Sequence, residues 1–176
     1  MKTLVILTHP DIENSVINKR WIEELEKYPD KFDIHQLYKI YPDEKINVLA
    51  EQRLIENYNK IIFQFPLYWF SSPPLLKKWL DEVLTYGWAF GSKSGYKLEN
   101  KKIALAISAG AIKDDYSIKG NYNHTLKEVL VPFELTFKYV KANYLRYFVN
   151  YESDPNTPSE LIEESAQSYF CFVNAV

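Results

Sequence analysis

The chain reads as an α/β protein, a parallel β-sheet with helices packed on both faces. Two patterns carry that reading. Short runs rich in β-branched and aromatic residues alternate five times with segments whose apolar residues recur at helical spacing. Such alternation predicts a parallel sheet with right-handed crossovers. The clearest runs, residues 4–7, 61–65 and 103–107, are nearly all apolar, as strands buried on both faces are. The 176 residues suffice for one domain with a sizeable core, and no linker, repeat or low-complexity segment divides residues 1–176.

In order, residues 4–7 form the first strand and residues 9–14 a polar loop. Ser15 caps a helix whose apolar stripe includes Ile17, Trp21 and Leu25, and Pro29-Asp30 breaks it. Residues 32–37 form the second strand, and residues 38–45 a loop. Val48, Leu49, Leu54, Ile55 and Tyr58 mark the second helix. Residues 61–65 form the third strand, which Pro66 stops because proline donates no ladder hydrogen bond. Three aromatics follow, then Ser71-Ser72-Pro73-Pro74, a helix-start signal with serine caps and proline in the first turn. Leu75, Leu76, Trp79, Leu80, Val83 and Leu84 form that helix's apolar face. Residues 87–102 make a loop with three of the five glycines. Residues 103–107 are the fourth strand and residues 108–123 a long loop. Leu126, Val129, Leu130 and Phe133 mark a fourth helix, kinked by Pro132 unless that proline lies near an end. Residues 143–151 are the fifth strand. Leu161, Ile162, Ala166, Tyr169, Phe170 and Val173 mark the last helix.

Composition narrows the function. A formal net charge of −2 gives no electrostatic case for nucleic acid. One cysteine, Cys171, allows no intrachain disulfide and fits a reducing, cytoplasmic setting. The three histidines, His9, His35 and His124, show no metal-ligand spacing, so no metal is expected. The opening MKTLVILTHP reads as a first strand rather than a signal peptide, and no apolar stretch is long enough to span a bilayer. No glycine precedes Gly87, so a glycine-rich phosphate loop after the first strand is excluded. Any phosphate held there must be met by hydroxyls, an imidazole and helix amides.

In such a fold, ligands bind outside the carboxyl ends of the strands. Three loops leave those ends. In the first, the His9 imidazole, the Ser15 hydroxyl and the amides of Val16, Ile17 and Asn18 at a helix start can hold a phosphate. The same residues also read as an ordinary N-cap serine and a loop histidine. In the second, Pro66-Leu67-Tyr68-Trp69-Phe70 can lay amides along the edge of a planar ring and an aromatic over its face. Those aromatics also read as core. In the third, Ser108-Ala109-Gly110-Ala111 lets backbone approach a ligand at Gly110, and Tyr116 brings a phenol donor. Alone, that segment is only a strand-to-loop turn.

HPxxxxSxxN after the first strand, FPLYWFSSPPLLKKWLDEV after the third, and the turn after the fourth with its tyrosine resemble one family. It is the flavodoxin-like NAD(P)H:quinone oxidoreductases, a group that includes DT-diaphorase, modulators of drug activity and ancillary subunits of glutathione-gated potassium efflux systems. The resemblance runs from Thr3 to about Tyr151, and its third-strand motif is the most specific. It implies a flavodoxin-like three-layer αβα sandwich with a five-stranded parallel sheet in the order 2-1-3-4-5. It implies FMN (with FAD possible) held by the three loops, and NAD(P)H as co-substrate. Carried over by position, His9, Ser15, Val16, Ile17 and Asn18 face the flavin phosphate and ribityl chain. Pro66 to Phe70 and Ser108 to Ala111 flank the isoalloxazine. Tyr116 hydrogen-bonds near the flavin N1/O2 edge, where it and the Gly110 amide stabilise the reduced ring. Trp69, Phe70 and Tyr122 border the acceptor pocket. The family's homodimers lend aromatics to one another's pockets, and Trp88 and Phe90 hold those positions here.

The chain departs from the family twice. Where TTGG is usual it has Ser108-Ala109-Gly110-Ala111, and Ala111 adds a methyl group that disfavours positive φ. Where the DT-diaphorase branch has a histidine beyond the tyrosine, it has Tyr122, with His124 nearby. The expected activity is ping-pong hydride transfer from NAD(P)H through the flavin to a quinone or similar flat acceptor. The rivals are a flavodoxin-type electron carrier, an FMN-binding ancillary subunit on a potassium efflux transporter's cytosolic domain, and a flavin-free structural relative.

Overall fold

A computed structural model, describing residues 2–93 and 95–176, shows five strands in one parallel sheet. They are β1 (Thr3–Leu7), β2 (Phe32–Gln36), β3 (Lys60–Pro66), β4 (Lys102–Ser108) and β5 (Asn143–Asn150). The sheet order is β2-β1-β3-β4-β5, as expected. The helices are α1 (Val16–Glu26), α2 (Leu37–Ile40), α3 (Val48–Glu56), α4 (Pro74–Val83), α5 (Leu126–Val129), α6 (Val131–Tyr139) and α7 (Ser159–Asn174).

Strand alternation splits the core into two layers. Leu4, Ile6, Ile61, Phe63, Phe65, Ile103, Leu105 and Ile107 face the layer that takes α3, α4 and α6. Val5, Leu7, Ile62, Ala104 and Ala106 face α1 and α7. On that second face the small Ala104 and Ala106 leave room for bulk. Trp21 of α1 stacks on Tyr169 of α7 at 4.6 Å, and Phe148 meets both.

Several expected boundaries move, each for a physical reason. β3 ends on Pro66 itself rather than before it; the residue lacks only a donor, and the next amide, Leu67, still donates to the Ser108 carbonyl at 2.8 Å. The serine caps are overturned. Pro73 occupies the N-cap position with no side-chain cap, because a residue before proline is held extended and Pro74 opens α4. Residues 37–40, expected as strand end and loop, form the short α2 around the buried Leu37. The single fourth helix is two. Thr125 and Glu128 form a capping box on α5, and Pro132 lies in the first turn of α6, where its missing N–H costs nothing. In α3, Leu49 is exposed and Glu51 and Gln52 are buried instead.

Glu51 is the chief buried charge of the first layer. Its carboxylate accepts from Trp79 Nε1 at 2.7 Å and Tyr41 Oη at 2.6 Å, and meets His35 Nε2 at 2.8 Å. Burial pushes its pKa up, but the bonds from His35, Tyr41 and Trp79 outweigh it and hold the group below the usual glutamate value.

Candidate functional site

The carboxyl ends of β1, β3 and β4 open on a cleft of about 400 Å³. His9, Ser15, Val16, Ile17, Pro66, Leu67, Tyr68, Ser108 and Gly110 line it, so all three expected loops converge. A fourth segment was missed. Ser153, Asp154 and Pro155, between β5 and α7, complete the wall. In sequence, residues 154–159 read only as a turn between the fifth strand and the last helix. Backbone bonds place the wall: the Ser153 amide donates to the Ala109 carbonyl at 3.0 Å, and the Glu152 amide to the Ala111 carbonyl at 3.2 Å.

At one end stands the start of α1. Ser15 Oγ accepts the Asn18 amide at 3.1 Å, which leaves its own O–H to donate outward. The Asn18 amide is therefore committed. Val16 and Ile17 keep the amides of a first helical turn, which have no partner within the helix. His9 Nδ1 accepts the Asp11 amide at 3.1 Å, so the neutral ring carries its proton on Nε2. Burial lowers the His9 pKa and the nearby Asp11 opposes it only in part. Neutral pH thus finds an uncharged imidazole with one N–H to give.

The second loop is a tight turn. Tyr68 and Ser71 exchange backbone bonds at 3.1 and 2.9 Å around Trp69 (φ 48°) and Phe70 (φ 61°). Two consecutive left-handed residues make a type I′ turn, a geometry that favours Asn and Gly. Aromatics there cost roughly 1–2 kcal/mol each. The turn's own bonds use the amides of Tyr68 and Ser71, not those of Trp69 and Phe70. Trp69 is 93% exposed. Phe70 meets Tyr122 edge-on at 4.9 Å, tying this turn to the loop after β4.

In that third loop, Ser108 and Gly110 line the cleft, while Ala109 is buried with its amide bonded to the Asn150 carbonyl at 2.8 Å. Ala111 does not have a positive φ, so its methyl group brings no backbone strain. A Cβ built on Gly110 meets nothing nearer than the Ser153 carbonyl oxygen at 4.0 Å. Tyr116 is buried beside Tyr122 and Tyr151 and is not among the residues lining this cleft. Burial raises its phenol to about 12, so it stays protonated.

Trp88 and Phe90 lie away from the cleft. Trp88 Nε1 donates to Glu56 at 2.8 Å, and Phe90 lines a separate groove between α4 and α6. His124 sits exposed before α5, its Nδ1 at 2.9 Å from the Tyr122 carbonyl. Among the described residues no cluster could hold a metal ion. No helix among them is long and apolar enough to cross a membrane.

Asp11 and Asn14 also line the cleft, whose two ends differ in character. One end presents the Ser15 hydroxyl, two helix amides and the His9 N–H; the other presents Pro66, Leu67 and Tyr68 with the turn beyond. Its volume lies in the range of small-ligand sites.

The family model for the flavodoxin-like fold matches residues 1–170. General stress protein 14 of Bacillus subtilis is 51% identical over 151 residues, covering 86% of this chain and 85% of that protein. The uncharacterized NAD(P)H oxidoreductase YrkL of the same organism is 48% identical over 151 residues, covering 86% of each. The potassium-efflux ancillary protein KefG of Yersinia pestis is 33% identical over 168 residues, covering 96% and 91%. Among solved structures, general stress protein 14 of Treponema denticola in complex with FMN superposes with a TM-score of 0.94 at 47% identity, covering 99% of each chain. An NADPH-quinone reductase from P. pentosaceus gives 0.81 at 29% identity, covering 96% and 98%. The chain belongs to the flavodoxin-like NAD(P)H:quinone oxidoreductase family.

Proposed function

We propose that this protein is an FMN-dependent NAD(P)H:quinone oxidoreductase. The observation that carries the reading is the meeting of α1's free donors and the Pro66–Tyr68 segment on one cleft, with the strained Trp69-Phe70 turn just beyond it. The FMN complex of the Treponema relative and the oxidoreductase names of the others support it. Bound FMN supplies hydride chemistry, linking a reduced nicotinamide to a two-electron acceptor.

The chain's own residues do the rest. The Ser15 hydroxyl, the Val16 and Ile17 amides and the neutral His9 hold the phosphate. Among the described residues no lysine or arginine lines the cleft while Asp11 and Asp154 do, so affinity rests on these dipoles working against two carboxylates. Pro66, Leu67 and Tyr68 give the ring a rigid edge. The amides of Trp69 and Phe70, free of the turn's own bonding, bond its polar rim. Ser108 and Gly110 close the opposite side. The Gly110 amide on the cleft wall is the first donor for charge gathering at N1/O2; Tyr116, behind that wall and kept protonated, is the second once its loop turns the hydroxyl to the ring. Trp69, Phe70 and Tyr122 border one shared place for nicotinamide and acceptor, which makes the kinetics ping-pong.

The same reading includes a cytoplasmic homodimer. A groove of about 890 Å³ between α4 and α6 carries Leu80, Leu84, Phe133 and the exposed Leu135 and Tyr139. A second copy seated there would bring Trp88 and Phe90 toward its partner's pocket. A second reading, an ancillary subunit bound to a potassium efflux transporter, is favoured by the likeness to KefG. Oxidation of NAD(P)H by the purified protein, dependent on FMN and accelerated by menadione, tests the enzyme reading. A protein that holds FMN, leaves NAD(P)H unoxidised and is captured with the transporter's cytosolic domain favours the second.

A further inference from the structure

Beneath the cleft runs a chain of buried polar groups that none of the site residues above explains. Tyr169 Oη of α7 donates to Gln64 Oε1 of β3 at 2.8 Å. Gln64 Nε2 donates to the Asn18 backbone carbonyl at 3.1 Å and to Asn18 Oδ1 at 3.2 Å. Asn18 Nδ2 donates to Ser108 Oγ at 2.7 Å. Tyr169 and Gln64 are 0% exposed, Asn18 1% and Ser108 6%.

The direction of this chain is fixed by one atom. The Asn18 backbone carbonyl can only accept, so the Gln64 amide must turn its N–H₂ toward it. Gln64 Oε1 then faces Tyr169, whose hydroxyl must donate. Asn18 Oδ1 faces Gln64, which leaves Nδ2 for Ser108. Ser108 Oγ therefore accepts, and its own proton is left to donate elsewhere. Ser108 lines the cleft.

We infer that Gln64 and Tyr169 are positioning residues: through Asn18 they present the Ser108 hydroxyl to the cleft as a hydrogen-bond donor for bound FMN. The inference rests on the reading that the cleft takes FMN. It couples α1, which carries the phosphate donors, to the loop after β4. Burying a glutamine in the middle of β3 is costly unless its amide is fully bonded, which it is here.

The test is a double-mutant cycle on FMN affinity, followed by quenching of flavin fluorescence in the purified apoprotein. Ser108→Ala raises Kd about three- to ten-fold, the effect of one neutral hydrogen bond. Gln64→Met raises it by a similar factor. The double variant is no weaker than the worse single variant, because both act through one hydroxyl. Thermal midpoints of the apoproteins, read in parallel, separate the folding cost of each change from its effect on Kd. Penalties on Kd that multiply in the double variant overturn the relay, since Gln64 then acts only through general packing. If Gln64→Met does not fold, Tyr169→Phe takes its place. A penalty undiminished by Ser108→Ala, or no penalty at all, overturns it. Wild-type protein that fails to quench FMN overturns the cofactor reading itself, a result distinct from any outcome of the cycle.

Discussion

Replacing Ser15 with alanine separates two jobs held by one hydroxyl. In the fold, Ser15 Oγ accepts the Asn18 amide at 3.1 Å and caps α1. Losing such a cap costs about 1 kcal/mol, or roughly 2–4 °C in thermal midpoint for a chain of this size. In the proposed complex the Ser15 proton also meets the FMN phosphate. A hydrogen bond to a charged group is worth about 1.5–3 kcal/mol, so Kd for FMN should rise roughly ten- to a hundred-fold. Riboflavin, which lacks the phosphate, serves as the control ligand, and its Kd should change little. Asn47→Ala serves as the control variant. Asn47 caps α3 by accepting the Ala50 amide at 3.1 Å, and it does not line the cleft. It should lose similar thermal stability and keep its FMN affinity. Fluorescence titration of the three apoproteins with both ligands gives the answer. Equal losses for FMN and riboflavin in Ser15→Ala, or none for FMN, would refute the placement of the phosphate at α1.

Other perturbations follow from the same structure. Tyr116→Phe should lower kcat by about ten-fold, less than the roughly 3–4 kcal/mol seen for loss of a sole oxyanion donor, because backbone donors remain; an unchanged kcat in stopped-flow reduction counts against that role. Trp69→Asn places a residue suited to positive φ where a 93% exposed tryptophan now stands. It should raise the thermal midpoint by about 1 kcal/mol's worth and slow quinone reduction, and a fall in stability would show that the turn is unstrained. Glu51 has a folded-state pKa below its ordinary value of 4.5, so its contribution is present above that pH and lost as pH falls through the folded value. Glu51→Gln should therefore cost about 1–3 kcal/mol at neutral pH yet flatten the loss in acid, as denaturant melts at several pH values would report. Parallel curves for the two proteins would exclude Glu51 as the source.

The parts of the fold that local chemistry decides were readable from the chain. Residues 4–7, 61–65 and 103–107 could only be buried strands, and Ile17, Trp21 and Leu25 could only be one helix face. The three loops then followed from topology, since parallel strands deliver their carboxyl ends to one rim. What escaped depends on contacts far apart in sequence. Glu51 is not among the residues that mark the second helix in sequence, and its partners His35 and Trp79 lie 16 and 28 residues away. The Ser153–Pro155 wall is set by bonds to Ala109 and Ala111 rather than by its own residues. The Gln64 amide, a polar residue in an apolar run, was visible but had no partner until α7 was placed. One miss was avoidable. Thr125-x-x-Glu128 spells a capping box that fixes the start of α5, and Pro132, read as a first-turn proline, marks the start of α6 and so the split.

The most direct measurement is the visible spectrum of the purified protein, given FMN and then NAD(P)H in the absence of oxygen. Bound flavin absorption that NAD(P)H bleaches and menadione restores is the expected result. A colourless chain that takes up no added FMN, or a bound flavin that neither nicotinamide reduces, contradicts it.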